Sequence, residues 1–336
     1  ADMEFACAPE ILCALRQTLD AGILGYTAPN EAYYAAVCSW MQRRHGFRVR
    51  PEWVVPTYGV VSALYSCVRA LSAEGDGVII QTPVYPPFQS AVLENNRTLF
   101  DCPLVRTGGR WQMDFAALEK AAKRPEVKLA ILCSPHNPVG RVWSVDELSR
   151  YAQICMENGV IVVSDEIHFD LILPGHKHTV FLNVPGVIPA KCVVCTAPSK
   201  TFNLAGLTTS NIVIPGKTLR KAFEEQYGSD TSGYISALGV PACTAAYNQA
   251  EGWLDGLIAH IAENTRAAAE FLREKFPKVE IDLPEGTYLM WMDFSKMGMT
   301  EAELDRWLFD EALFFVGDGR PFGPSGALHR RLNLAC

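Results

Sequence analysis

Between about residues 53 and 215, short aliphatic runs alternate with longer stretches whose apolar positions recur at helical spacing. The runs are Gly77-Val-Ile-Ile-Gln81, Lys128-Leu-Ala-Ile-Leu-Cys133, Val160-Ile-Val-Val-Ser164, Cys192-Val-Val-Cys195 and Asn211-Ile-Val-Ile214. Continuous rather than alternating apolar runs mean strands buried on both faces, which predicts a mainly parallel sheet covered by helices. Helices are predicted between them. Val60, Leu64, Cys67, Val68 and Leu71 keep helical spacing after Gly59, and Ser144-Val-Asp-Glu147 is a capping box ahead of Leu148, Tyr151 and Ala152. The expected fold class is α/β, a doubly wound, mainly parallel sheet.

After about residue 250 the pattern changes. A long amphipathic helix is predicted from about Trp253 to Phe276, then a strand over Gly286–Asp293 and a capped helix opening at Thr300-Glu-Ala-Glu303. A Gly/Pro-rich loop from Gly317 to Gly326 precedes a last strand, Arg330-Arg-Leu-Asn-Leu334. This predicts a smaller α+β domain over 251–336 beside a large domain over 21–250. The chain stops close to that strand, so the small domain is expected to be incomplete.

Composition narrows the class of function. With 336 residues, 49% hydrophobic and 20% charged, the chain has ample material for two packed domains. A net charge of −7 argues against a nucleic-acid or anionic-membrane surface as the main partner. No apolar run approaches the length of a membrane span, and Ala1-Asp2-Met3-Glu4-Phe5 lacks the basic start of a signal peptide. Eleven scattered cysteines, mostly in apolar runs, read as reduced thiols of a cytoplasmic protein. Cys192 and Cys195 fall on opposite faces of a predicted strand with no second Cys/His pair, so packing is expected there and no metal. His176 and His178 lie in a polar loop and are expected to be solvated. Gly317-x-Gly319 lacks the strand–turn–helix setting of a dinucleotide loop.

Three predicted strands end in polar, Gly/Pro-bearing turns: Ser134-Pro-His-Asn137-Pro-Val-Gly140, Asp165-Glu-Ile-His168 and Thr196-Ala-Pro-Ser199-Lys200. In an open parallel sheet the strand C-termini line one edge, where ligands bind. An Asn, an Asp and a Lys therefore converge, with Tyr85 of Thr82-Pro-Val-Tyr85 near the same edge. Pyridoxal catalysis needs such a set. A lysine amine forms an imine with the cofactor aldehyde, and a carboxylate faces the pyridine nitrogen. The phosphate takes backbone N–H groups at a helix start, which Tyr58-Gly59-Val60-Val61 supplies. Singly, each residue has an ordinary explanation: a solvated lysine, a turn-forming Asp or Asn-Pro, a packed tyrosine, a surface arginine. Their joint order on successive strand ends outweighs those readings.

Ser134-Pro-x-Asn137-Pro-x-Gly140, Ser164-Asp165-Glu-Ile-His168 and Ser199-Lys200-Thr-Phe-Asn-Leu-Ala-Gly206 resemble the class I/II aminotransferase superfamily, fold type I of pyridoxal-5′-phosphate (PLP) enzymes. More narrowly they resemble its cystathionine β-lyase, or cysteine-S-conjugate β-lyase, branch. The likeness runs from Ala1-Asp-Met-Glu-Phe5 to Arg331-Leu-Asn-Leu-Ala-Cys336. Members usually carry extra residues before the first motif and a C-terminal helix after the last.

The resemblance implies that Lys200 carries PLP, Asp165 partners the pyridine nitrogen, and Asn137 and His168 lie by the ring hydroxyl. Tyr85 would stack on the ring, while Gly59, Val60, Val61 and Ser199 would bind the phosphate. Arg331, with Asn137, would bind the carboxylate of an amino-acid substrate. Tyr26 would reach the phosphate of a neighbouring subunit, which implies a homodimer with shared sites. Residues 1–20 would form a segment associated with the small domain.

Two positions depart from the wider superfamily: Thr208 replaces a phosphate-binding arginine and Ala197 a serine. They imply a phosphate site built more on amides than on charge. The expected activity is β-elimination on cystathionine or a related S-substituted cysteine. An aminotransferase is the alternative, sharing every residue named. A non-catalytic regulatory protein on the same fold is the third reading, against which the intact Lys200, Asp165 and Arg331 weigh.

Overall fold

The computed structural model describes residues 2–336. In chain order its first strands are β1 (Val54–Thr57), β2 (Gly77–Ile80) and β3 (Thr98–Asp101), followed by a small hairpin, β4 (Val105–Thr107) and β5 (Arg110–Gln112). Next come β6 (Val127–Cys133), β7 (Ile161–Asp165), β8 (Cys192–Thr196) and β9 (Ser210–Val213). Among the described residues, seven of these form a sheet in the order β1-β9-β8-β7-β6-β2-β3. The pairs from β3 through β8 are parallel, whereas β9 runs antiparallel to both β8 and β1.

Both faces of this sheet are buried, as the continuous apolar runs predict. Ile79, Ala130, Leu132, Val162 and Val194 point into one core. Val78, Ile80, Leu129, Ile131, Val163 and Val193 point into the other. Cys192 and Cys195 divide between the two, both as free thiols. Helix Val60–Leu71 turns six buried apolar side chains toward the second core, and the capping box at Ser144 opens helix Val145–Glu157.

Beyond residue 250, helix Glu251–Lys275 accompanies a four-stranded antiparallel sheet. Its strands β10 (Glu280–Asp282), β11 (Leu289–Asp293), β12 (Gly317–Asp318) and β13 (His329–Asn333) lie in the order β10-β11-β13-β12. The predicted strand over 286–293 is shorter at its start. Gly286 and Thr287 instead donate their N–H groups to the carbonyls of Gly140 and Leu171, in the segments that follow β6 and β7, and Thr287 turns to φ 71°. That turn fastens β11 beside the first sheet. Gly140 is required there: it has φ +70°, and a Cβ would lie 2.7 Å from Pro284. At the N-terminus, Glu4 donates to the Ala335 carbonyl, while helix Pro9–Ala21 packs on helix Gly239–Gln249.

Candidate active site

Strand register assembles the site. Cys133 pairs with Asp165, and Asp165 with Cys195, so β6, β7 and β8 end in one row. The segments leaving that row carry Asn137, His168 and Lys200. A cavity of about 180 Å³ opens there, lined by Asn137, Asp165, His168 and Lys200 from this edge, by Tyr288 just before β11 and by Arg331 of β13. Val60, Val61 and Tyr85 also line it.

The electrostatics follow from burial. The Asp165 carboxyl is pushed up to about 7 by loss of solvent, against one N–H donated by Ile167 to its Oδ1 at 3.1 Å. His168 is pushed down to about 3 by burial and by the Lys200 and Arg331 charges, so its imidazole is neutral. Its Nδ1 is buried without a hydrogen-bond partner among the described residues. Arg331 Nη1 donates to Asn137 Oδ1 at 3.0 Å, and its guanidinium lies 4.9 Å from the Phe322 ring centroid. Lys200 Nζ lies 3.5 Å from Asp2 Oδ1.

The donor set fits a phosphate-bearing pyridoxal. Helix Val60–Leu71 starts at Gly59 in a left-handed conformation (φ 89°), with no side chain capping it. Its first-turn N–H groups are therefore available to an anion. The orphaned His168 Nδ1 and the buried, proton-avid Asp165 are polar groups that a hydroxypyridine would engage.

Eight of the expected site residues line the cavity: Val60, Val61, Tyr85, Asn137, Asp165, His168, Lys200 and Arg331. Gly59 and Ser199 flank lining residues in the chain without lining it themselves. Tyr26 is elsewhere: 89% exposed and stacked on Tyr234 at 4.7 Å. The structure corrects one expectation outright. His178 is buried, with its Nε2 2.8 Å from Glu166 Oε2. Glu166 has no solvent-exposed side-chain area, and a buried carboxylate needs donors. His176 is exposed. Tyr288 had no role assigned from sequence. Its signal is the Gly286-Thr287 turn, which brings the start of β11 to the larger sheet.

Residues 2–336 match aminotransferase class I and II, and the chain belongs to that family. Its fold is fold type I of the PLP-dependent transferases. It is 43% identical to cystathionine beta-lyase PatB of Bacillus subtilis (strain 168), covering 100% of this chain and 87% of that protein. Protein MalY of Escherichia coli (strain K12) is 33% identical, with 100% and 86% covered. Among solved structures, cystalysin from Treponema denticola, which contains a pyridoxal 5′-phosphate cofactor, matches with a TM-score of 0.97 and 41% identity over 100% of this chain and 85% of that one. The PLP-bound C–S lyase from Staphylococcus hominis matches with a TM-score of 0.93 and 34% identity, again over 100% and 85%.

Proposed function

We propose that this protein is a PLP-dependent carbon–sulfur β-lyase that cleaves cystathionine or a related S-substituted L-cysteine to a thiol, pyruvate and ammonia. The observation that carries the reading is the convergence of Asn137, Asp165, Lys200 and Arg331 on one cavity, in a chain 43% identical to a cystathionine beta-lyase. When bound, PLP supplies an aldehyde for the substrate amine and a protonated ring that draws electrons from Cα. Lys200 holds the cofactor and then takes the Cα proton on Nζ. Asp165 keeps the ring nitrogen protonated, and the neutral His168 with Asn137 serves the ring hydroxyl. Val60 and Val61 N–H groups, with Gly59 and Ser199, hold the phosphate, and Tyr85 covers the ring. Arg331 takes the substrate α-carboxylate.

Incubation with L-cystathionine, with and without an added keto acid, tests the reaction. Pyruvate and ammonia should form without the keto acid; turnover that requires it would establish amino-group transfer instead. Arg331→Lys is expected to raise KM for cystathionine about ten- to a hundredfold with a smaller change in kcat, because an ammonium cannot clamp a carboxylate through two N–H groups. An unchanged KM in steady-state kinetics would remove Arg331 from substrate binding.

The assembly we propose is a homodimer of a cytoplasmic enzyme, with sequence divisions at 1–20, 21–250 and 251–336. Support for the dimer comes from apolar side chains exposed together in one short segment: Ile23 (83%), Leu24 (55%) and Tyr26 (89%). The two sheets on either side of residue 250 support the division. The eleven free cysteines support the compartment; no helix among the described residues is long and apolar enough to cross a membrane.

Tyr26→Phe should weaken cofactor binding about ten- to a hundredfold, the loss of one charge-assisted hydrogen bond. A hybrid dimer separates the readings. One subunit carries Tyr26→Phe and the other Lys200→Ala. If Tyr26 serves the partner's site, the site with an intact Lys200 also receives an intact Tyr26. About half the activity then remains at parental cofactor affinity. Weakened affinity in that live site would place Tyr26 in its own subunit's site.

A further inference from the structure

Lys200 stands on a helix of one turn, Pro198–Thr201, that no side chain caps at its N-terminus. A single turn has no stability of its own, so its orientation must come from tertiary contacts. The three residues after Lys200 supply them, each to a different element. Asn203, in a left-handed conformation (φ 56°), donates through Nδ2 to the Met3 and Phe5 carbonyls at 3.0 and 2.7 Å. Phe202 packs against the Trp40 ring at 5.6 Å. Thr201 is fully buried and donates from Oγ1 to Asp170 Oδ2 at 2.7 Å.

Asp170 has no exposed side-chain area and does not line the catalytic cavity. Besides Thr201 it faces Trp40 Nε1, at 3.1 and 3.3 Å from its two oxygens, and His45 Nε2, at 2.7 Å from Oδ1. A carboxylate accepts from all three, which sets the Thr201 hydroxyl as a donor and puts the His45 proton on Nε2. Trp40 and His45 belong to helix Glu31–His45, and Asp170 to the segment following β7. One carboxylate therefore ties together that helix, the segment that leaves β7 after Asp165, and the turn that carries Lys200.

We propose that Asp170 is a positioning residue for the reaction: through Thr201 it fixes the rotation of the one-turn helix and so the aim of Lys200 into the cavity. This rests on Lys200 carrying the cofactor. The alternative is that Asp170 serves only stability, by satisfying Trp40 and His45. Thr201→Val separates the two, since it removes the hydroxyl at nearly constant shape and leaves the Trp40 and His45 bonds in place.

The test compares the parent, Thr201→Val and Thr201→Ser as holoenzymes. The readouts are kcat and KM with cystathionine, the pH midpoint of the bound cofactor's visible band, Tm, and the site of cofactor attachment after borohydride. A misaimed reacting group costs on the order of a hundredfold per ångström, so Thr201→Val should lower kcat about ten- to a hundredfold. KM should stay within about threefold, because the substrate clamp is elsewhere. The pH midpoint should move by about half a unit or more, since the setting of Lys200 has changed. Thr201→Ser should restore both.

Parental kcat and midpoint in Thr201→Val overturn the role of Asp170, whatever the Tm. So does a loss that Thr201→Ser fails to restore. If Thr201→Val does not fold, Asp170→Asn replaces it. The amide offers one acceptor oxygen to three donors, and the same kcat loss and midpoint shift are required of it. A parent whose cofactor attaches to a lysine other than Lys200 overturns the reading of the site and this inference together. Attachment at Lys200 with an unaltered Thr201→Val overturns this inference alone.

Discussion

Lys200→Ala is expected to abolish turnover, by about 10⁴-fold or more, and to leave no lysine to which borohydride can fix the cofactor. The size follows from two tasks meeting on one nitrogen. In the proposed reaction Lys200 Nζ would hold the cofactor before substrate arrives and remove the Cα proton afterwards, so one substitution would delete both the covalent anchor and the base. The fold should survive. The Lys200 side chain is 22% exposed, its ion pair with Asp2 spans 3.5 Å, and the turn beneath it stays docked through Thr201, Phe202 and Asn203. Tm of the cofactor-free variant should therefore match that of the cofactor-free parent. The parent, reduced with borohydride and digested, should yield one labelled peptide containing Lys200. Substantial turnover by Lys200→Ala, or a label on another lysine, would refute the assignment.

Much of this site was legible because it depends on strand ends, and strand ends depend on short-range pattern. The apolar runs of β6, β7 and β8 stop where polar turns begin. Parallel neighbours in register then bring Asn137, Asp165 and Lys200 to one edge. Both capping boxes were legible for the same reason, since each closes within four residues. What escaped depends on partners distant in the chain. His178 looked solvated because its neighbours are polar; it is buried because Glu166, twelve residues earlier, needs a donor. Asp170 finds Trp40, His45 and Thr201, none of them near it in sequence. The antiparallel course of β9 was hidden too. Its Ile212-Val213-Ile214 run is as apolar and as buried as the runs of the parallel strands, so hydrophobicity alone does not report its direction.

Asp165→Asn is expected to lower kcat about 10²–10³-fold, the usual cost of removing one preorganised electrostatic partner from a dry site. Its effect on the cofactor-free protein gives an independent check. Burial holds the Asp165 carboxyl at about 7, above its ordinary value of 3.8. Between those values the folded chain keeps a proton that the unfolded chain has released. Stability from this group is thus fully present at low pH and is lost as pH rises through that window, at up to about 1.4 kcal/mol per unit. An asparagine does not titrate, so Asp165→Asn should remove that part of the decline. The difference in Tm between variant and parent should grow in the variant's favour from about pH 4 to pH 7. On the proposed placement, bound cofactor should reverse the preference, because a protonated ring nitrogen beside Asp165 would stabilise the carboxylate that burial alone disfavours. PLP should accordingly raise the Tm of the parent more than that of Asp165→Asn near neutral pH. A variant with kcat within a few-fold of the parent and the same PLP-induced shift would show that Asp165 does not face the ring nitrogen.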